Sequence, residues 1–140
     1  MQDEGKVKQA VPFFMVADMT RSLAFYVDGI GFARTNQWIV DGEIRWCWLE
    51  LGGAALMLQQ FAAGDRRFDG SEGALGRGVS ICFQCGDAIA LYHALKARGL
   101  SPQRPFVGNG LWVTCLIDPD GYKLDFESPT DAAEESEYPG

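Results

Sequence analysis

The sequence has little positive charge. Its 12 lysines and arginines stand against 19 aspartates and glutamates, which gives a net charge of −7 over 140 residues. A nucleic-acid-binding domain needs a basic face, so this balance argues against a nucleic-acid partner and equally against docking on anionic lipid. Acidic charge is compatible with attraction of cationic small molecules, although it more commonly serves only to keep a protein soluble.

Long hydrophobic runs are also missing. No apolar stretch approaches the ~18–20 residues that span a bilayer. Residues 1–9 are polar and mixed in charge, without the apolar centre of a signal peptide. We therefore expect a cytoplasmic protein with no membrane partner.

Histidine is nearly absent. His93 is the only one, and it lies one residue off the apolar stripe of a predicted helix, so we expect it to face solvent. A Ser-His-Asp arrangement would need this histidine near a cleft serine. No glycine-rich phosphate-binding loop follows a strand either.

The four cysteines all lie in apolar stretches, which favours buried free thiols over disulfides. Cys82 and Cys85 have the C-x-x-C spacing, but they lie along a predicted strand and the chain has no second such pair. A redox motif or zinc site would need a helix start or that second pair, so neither is favoured.

The chain repeats one order of elements, β-α-β-β-β, in two halves. Asp18 and Asp87 have the side chains to cap the two helices, and Gly31 and Gly99 are placed to end them. The predicted strands are 11–17, 32–40, 44–51 and 54–61 in the first half, and 78–85, 101–107, 111–117 and 122–127 in the second. Each half is too small to bury its own sheet, so the two must complete each other or use a partner subunit.

This organisation predicts one domain over residues 10–129. Its modules cover 10–61 and 78–128, and an arginine-bearing linker joins them at 62–77. Residues 130–140 are acidic and are expected to form a loose tail. The linker arginines are Arg66, Arg67 and Arg77. They would suit an anionic ligand, and the sequence leaves open whether this linker covers a groove or only joins the halves.

The alternation of residues along each predicted strand gives one apolar face and one mixed face. We expect the apolar faces to pack on the helices, so the mixed faces are available to line a site or an interface. Tryptophans, a methionine and a few polar groups on such a face are typical of a small-molecule site. The same residues would also suit the centre of a closed barrel or a subunit interface. The candidate ligand-binding residues are Phe13, Trp46, Trp48, Glu50, Met57, Gln59, Ser80, Cys82, Trp112, Asp125 and Glu127.

Three segments carry a resemblance to a known family. They are VADMTRSLAFYVDGIGF at 16–32, VSICFQCGDAIALYHALKARGL at 79–100 and DPDGYKLDFESP at 118–129. With them the sequence resembles the vicinal oxygen chelate superfamily, which includes glyoxalase I, bleomycin-resistance proteins, fosfomycin-resistance enzymes and extradiol dioxygenases. The resemblance implies an α+β fold of two βαβββ modules forming a cupped eight-stranded mixed sheet, usually in a homodimer.

The resemblance also assigns four metal-ligand positions, one each on the first, fourth, fifth and eighth strands. They fall on Val11, Met57, Ser80 and Asp125. Only Asp125 has a carboxylate, and a thioether is unsuited to a hard or borderline ion. We therefore expect no metal and no cofactor, which argues against glyoxalase, dioxygenase and fosfomycin-transferase chemistry.

The family members that this pattern most resembles are metal-free binding proteins of the bleomycin-resistance type. The hypothesis is a protein that binds a planar or cationic small molecule, with aromatic side chains stacking on it and acidic ones attracting it. The aromatic candidates are Phe13, Trp46, Trp48 and Trp112, and the acidic ones are Glu50, Asp125 and Glu127. Asp125 and Glu127 also form a potential acid–base pair. Two alternatives stay open: a metalloenzyme of the glyoxalase or dioxygenase type with other ligands, and a ligand-free dimeric interaction module.

Overall fold

The computed structural model describes residues 4–62, 64–65 and 74–140. It contains the βαβββ order twice, so the predicted α+β class is confirmed. The first module consists of β1 (Phe13–Val16), α1 (Met19–Leu23) continuing as a π-helix (Ala24–Ile30), β2 (Ala33–Val40), β3 (Glu43–Leu51) and β4 (Ala54–Gln60). The second consists of β5 (Ser80–Gln84), α2 (Ala88–Ala97), β6 (Phe106–Gly108), β7 (Leu111–Ile117) and β8 (Lys123–Pro129).

The eight strands form two four-stranded mixed sheets. Sheet A has the order β1-β4-β3-β2, and sheet B has the equivalent order β5-β8-β7-β6. In each sheet the first strand pairs in parallel with the last strand of its module, and the other pairs are antiparallel. The predicted internal repeat is therefore also a repeat of sheet topology.

Local sequence signals set the ends of the helices. The side chain of Asp18 accepts a hydrogen bond from the backbone N–H of Arg21, and Asp87 caps α2 in the same way. Gly31 ends the first helix at φ 110°, a left-handed conformation that glycine adopts without steric cost. The π-helical turn before it was not predicted. Within the described ranges, no helix is both long and apolar enough to span a membrane.

One hydrophobic core takes side chains from both sheets and from the helices, among them Tyr26 and Leu95. Sheet A contributes Leu49, Leu56 and Leu58, and sheet B contributes Leu124 and Phe126. Because each sheet turns its apolar face to this shared core, the opposite faces of both sheets lie on the outside of the molecule. Those outer faces carry the residues that the sequence singled out for ligand binding, with the exception of Trp112.

A buried hydrogen bond joins the two modules. The hydroxyl of Tyr26, on the first helix, donates to Oδ2 of Asp118 in the β7–β8 turn at 2.7 Å. Oδ1 of Asp118 accepts from the backbone N–H groups of Asp120 and Tyr122 at 2.8 and 2.9 Å. Burial and the facing Asp118 carboxylate raise the pKa of Tyr26 far above its usual range, so this hydroxyl stays protonated.

The expectation of a loose C-terminal tail is wrong. The backbone N–H of Val107 donates to Ser136 at 2.9 Å, and the N–H of Glu135 donates back to Val107 at 2.9 Å. The hydroxyl of Tyr138 lies 3.0 Å from Nε2 of His93, which is exposed as expected. The acidic composition of residues 130–140 gave no sign of this contact. In it, these residues provide hydrogen-bond partners for backbone groups of β6, which is an edge strand of sheet B.

The predicted strand at 101–107 is much shorter than expected. Only Phe106–Gly108 forms a strand, β6, and before it Gln103 makes a single backbone hydrogen bond to Cys115 of β7 at 2.9 Å. Pro102 and Pro105 lie in the part that failed to become strand, and proline has no N–H to donate to a ladder. Arg66 and Arg67 of the predicted linker lie outside the described residues.

Candidate functional site

The outer face of sheet A is dominated by aromatic side chains. The strand register places Phe13, Met57 and Trp48 in one row across β1, β4 and β3. The next row brings Gln59 and Trp46 together. We call this surface the aromatic face; it consists of Phe13, Trp38, Trp46, Trp48, Glu50, Met57 and Gln59.

Trp38 was missed by the sequence analysis. It pairs directly with Trp46 and is 56% exposed, and Phe13 at the opposite edge of the sheet is 51% exposed. The signal was the cross-strand position of Trp38 opposite Trp46 in the β2–β3 hairpin. Two exposed aromatic rings on one sheet face bring no folding stability by themselves, which favours a ligand or partner that covers them.

Glu50 holds the ring of Trp48 in place. The indole Nε1 donates to the Glu50 carboxylate at 2.8 Å, and the hydroxyl of Thr35 donates to the same carboxylate oxygen at 3.4 Å. The ring is thereby oriented on the face before any ligand arrives. Such preorganisation lowers the entropy cost of binding.

The outer face of sheet B is polar and internally paired. Oδ2 of Asp125 accepts from Nζ of Lys123 at 2.9 Å, and the same ammonium lies 3.3 Å from the hydroxyl of Ser80. Hydrogen bonding to Asp125 raises the pKa of Lys123, so the ammonium stays charged. Gln84 donates to Glu127 at 2.7 Å. We call this surface the polar face; it consists of Ser80, Cys82, Gln84, Lys123, Asp125 and Glu127.

All four cysteines are free thiols, as expected. Cys47 and Cys115 are buried, and burial raises their pKa values to about 11 and about 12. The expectation of burial was wrong for Cys82, which is exposed on the polar face. Its pKa is raised by partial desolvation and by the carboxylates of Glu127 and Asp125, so it is a poor nucleophile at neutral pH.

Trp112 does not lie on either outer face, and the prediction that placed it there is wrong. It pairs with Ser128, and its neighbour on the same side of β7, Thr114, donates to the backbone oxygen of Ala88 in α2 at 2.8 Å. The ring of Trp112 lies 6.0 Å from that of Tyr138. The sequence correctly predicted that residues along β7 alternate between two sides. It assigned the side of Trp112 to the outer face, whereas that side faces inward, because aromatic and polar residues occur on both sides of the strand.

The four metal-ligand positions implied by the resemblance do not fit a metal. Val11 precedes β1, Met57 offers only a thioether and Ser80 only a hydroxyl near Lys123. Among the described residues, one group of three potential ligands lies close together: Cys82, Asp125 and Glu127, within 4.8 Å of one another. The Lys123 ammonium already neutralises Asp125 in that group. These donors therefore do not form a fitting site for a divalent metal ion.

The remaining predicted residues fall into two sets. Phe13, Trp46, Trp48, Glu50, Met57 and Gln59 share the aromatic face, whereas Ser80, Cys82, Asp125 and Glu127 share the polar face. Within one chain these faces lie on the outer sides of two sheets whose other faces share a core. Within a single chain, the aromatic face and the polar face are therefore two separate surfaces.

A family model matches most of the chain. The Glyoxalase/Bleomycin resistance protein/Dioxygenase superfamily matches residues 8–126. No curated protein matches the chain at a significant level of sequence similarity.

Solved structures with a similar fold include three proteins that bind, or confer resistance to, antibiotics. A bleomycin-binding protein complexed with bleomycin is 22% identical, with a TM-score of 0.67, covering 87% of this chain and 98% of that one. A bleomycin resistance determinant encoded on the transposon Tn5 is 22% identical, with a TM-score of 0.67 and coverage of 90% and 100%. TnmS3, an antibiotic binding protein from Streptomyces sp. CB03234, is 21% identical, with a TM-score of 0.64 and coverage of 88% and 98%. At these identities the likeness concerns the fold.

Proposed function

Because the chain belongs to the Glyoxalase/Bleomycin resistance protein/Dioxygenase superfamily, we propose that it binds a planar small molecule on the aromatic face without a metal ion. The observation that carries this proposal is the aromatic face itself, where Trp38, Trp46 and Trp48 lie on neighbouring strands. Large, rigid aromatic surfaces bind planar molecules at low entropy cost, and a few polar groups then fix orientation.

The acidic residues favour a ligand that carries positive charge. Glu50 lies within the aromatic face, and Glu127 lies on the polar face, where its hydrogen-bond donor is the uncharged amide of Gln84. The Asp125 carboxylate is already neutralised by Lys123. Two proteins of similar fold support a small-molecule ligand, since one binds bleomycin and the other binds an antibiotic.

We further propose that a second copy of the chain completes the groove by placing its polar face opposite the aromatic face. The C-terminal segment covers the β6 edge of sheet B, whereas β1 and β5 are edge strands in their sheets. Phe13 on β1 and Val79 beside β5 are 51% and 57% exposed. Burying such apolar edges against a partner favours association.

Sedimentation equilibrium tests this homodimer. Val79→Asp is expected to weaken association about tenfold or more, because it places a charge in an apolar contact. The matched control is Val7→Asp, the same change at a residue that is 91% exposed and precedes β1. A monomeric wild-type chain, or equal effects of the two substitutions, would contradict the proposed dimer.

A cytoplasmic location is part of the proposal. Four free thiols, of which Cys82 is exposed, suit a reducing compartment.

Titration of tryptophan fluorescence with planar cationic antibiotics, bleomycin among them, tests the binding function. The expected result is a saturable change in the presence of a chelator. Trp48→Leu should weaken binding about tenfold, whereas Trp112→Leu, the same change on the opposite side of sheet B, should alter it less than about twofold. Saturable binding only after a divalent metal is added would favour a metalloenzyme. No response to any compound would favour a ligand-free interaction module.

A further inference from the structure

The register of the β2–β3 hairpin slips at two places, between Arg34 and Asn36 and between Trp38 and Ile39, and the second concerns Arg45. Trp38 pairs with Trp46 and the next residue, Ile39, pairs with Ile44, so Arg45 has no partner position on β2. Such a bulge re-aims the side chain of the extra residue and often occurs near functional sites. Sequence alternation alone would have placed Arg45 on the core side of the sheet, where no ligand could reach it.

Arg45 lines a cavity at the end of the aromatic face. The cavity has a volume of about 360 Å³ and opens beside the ring of Trp38, with Gln59 of the aromatic face in its wall. Asp65 also lines the cavity and has interactions of its own. The cavity therefore adjoins the surface on which the planar ligand is proposed to lie.

One nitrogen of the Arg45 guanidinium, Nε, is buried and has no hydrogen-bond acceptor among the described residues. Arg45 also forms no ion pair with any other described residue. Arg21, by contrast, pairs with Asp120 at 3.2 Å, and Arg98 donates to the backbone oxygen of Ile30 at 3.0 Å. A buried N–H donor on a permanent cation is costly unless an acceptor reaches it, and none of the described side chains does so.

We propose that this cavity is an anion subsite, in which Arg45 binds a carboxylate, sulfonate or phosphate group of a ligand whose ring lies on Trp38 and Trp46. The planar fork of a guanidinium matches such groups by paired, charge-assisted hydrogen bonds. The inference rests on the proposed function, since it uses the same aromatic face. It adds that the ligand is amphoteric, with an anionic group at Arg45 and its cationic part toward Glu50.

Two fluorescent probes that differ in one charged group test the subsite. 8-Anilinonaphthalene-1-sulfonate is a planar aromatic anion, and N-phenyl-1-naphthylamine has the same rings without the sulfonate. For Arg45→Gln we expect about tenfold weaker binding of the sulfonate and less than about twofold change for the neutral probe. Arg45→Lys keeps the positive charge but lacks the planar guanidinium, so it should bind the sulfonate more tightly than Arg45→Gln and less tightly than the wild type.

Arg34→Gln is the matched control, because it removes the same charge from the same sheet. Arg34 pairs with the core residue Leu49 and lines a different cavity beside the first helix, so the binding of neither probe should change. In urea unfolding, Arg45→Gln should be at least as stable as the wild type, because the substitution breaks no hydrogen bond to a described residue and removes a buried donor without an acceptor. A loss of sulfonate binding would then report the subsite and not a damaged fold.

The outcomes separate the two proposals. If both probes bind and Trp38→Leu weakens both, but Arg45→Gln affects neither or affects both equally, the anion subsite is wrong and the aromatic face stands. If neither probe binds the wild-type protein saturably, or Trp38→Leu leaves both unchanged, binding on the aromatic face is wrong and the subsite falls with it.

Discussion

The indole nitrogen of Trp48 donates a hydrogen bond to the carboxylate of Glu50, 2.8 Å away and two residues further along the same strand. Both side chains stand on the outer face of sheet A, where the spacing of two keeps them on one side. One residue thus provides a rigid aromatic surface, and the other fixes the ring while offering negative charge. The pair is the smallest unit of the proposed site.

Replacing Glu50 with alanine should loosen the ring of Trp48 and remove the charge. We expect ligand or probe affinity to fall between about threefold and tenfold, with stability little changed because Glu50 is exposed. Glu50→Gln keeps an acceptor for the indole and should retain the ring order. Fluorine NMR of 5-fluorotryptophan protein measures that order, with the Trp48 resonance assigned through Trp48→Phe. Equal line widths in the alanine and glutamine variants would contradict the positioning role.

The burial of Tyr26 beside the carboxylate of Asp118 predicts a loss of stability in alkali. The pKa of Tyr26 is raised in the folded protein from the usual 10.0, so above that pH the unfolded chain releases a proton that the folded chain retains. The stabilising contribution is complete below pH 10 and decreases as the pH rises further. The free energy of unfolding should fall by about 1.4 kcal/mol per pH unit from this group.

Tyr26→Phe isolates this effect. At pH 7 the variant should lose about 1–3 kcal/mol, because Oδ2 of Asp118 remains buried without its donor. Above pH 10 its stability should fall less steeply than that of the wild type, since Phe cannot ionise. Urea unfolding at a series of pH values measures both slopes, and parallel curves would show that Tyr26 does not carry the pH dependence.

The sequence predicted the fold better than the site. The caps at Asp18 and Asp87 and the repeated element order are local signals that the structure confirms, and strand periodicity located every strand, although it made the strand at 101–107 too long. Face assignment also succeeded on β4, where Met57 and Gln59 alternate with leucines that fill the core. It failed on β7, because Trp112 and the residues beside it have no clean apolar side.

Local sequence patterns could not predict two features of the structure. The bulge at Arg45 arises from pairing between strands, so counting residues along β3 alone could not reveal it. The docking of residues 130–140 depends on the unpaired edge of β6 and on the ring of Trp112, which are distant in sequence. Both are tertiary effects that override composition and alternation.

The C-terminal segment should contribute to stability through Tyr138. Its ring packs edge-on against Trp112, and its hydroxyl lies within hydrogen-bond distance of His93. Tyr138→Ala is expected to lower the free energy of unfolding by about 1–2 kcal/mol, and Tyr138→Phe by less than about 1 kcal/mol. Amide hydrogen exchange at Val107 should accelerate in the alanine variant, because that N–H bonds to Ser136. Unchanged exchange would mean that the segment is held without Tyr138.

Lys123 should keep divalent metal away from the polar face. Its ammonium lies 2.9 Å from Asp125, which is one of the three potential ligands in the group of Cys82, Asp125 and Glu127. Removing this charge with Lys123→Met should increase zinc affinity by about tenfold or more, because a thiolate and two carboxylates are competent zinc ligands. Lys96→Met, on α2, is the control. Calorimetric titration with zinc measures the difference, and equally tight binding by the wild type and both variants would contradict it.

The most direct test of metal-free ligand binding on the aromatic face is one calorimetric titration, performed with and without a chelator. The metal content of the purified protein is measured first, and planar cationic antibiotics are then titrated into the wild type and Trp48→Leu, once in a buffer with the chelator and once in a buffer without it. The proposed function predicts metal near zero, saturable binding that the chelator leaves unchanged, and about tenfold weaker binding by the variant. Binding that disappears on chelation, or that Trp48→Leu leaves intact, would contradict it.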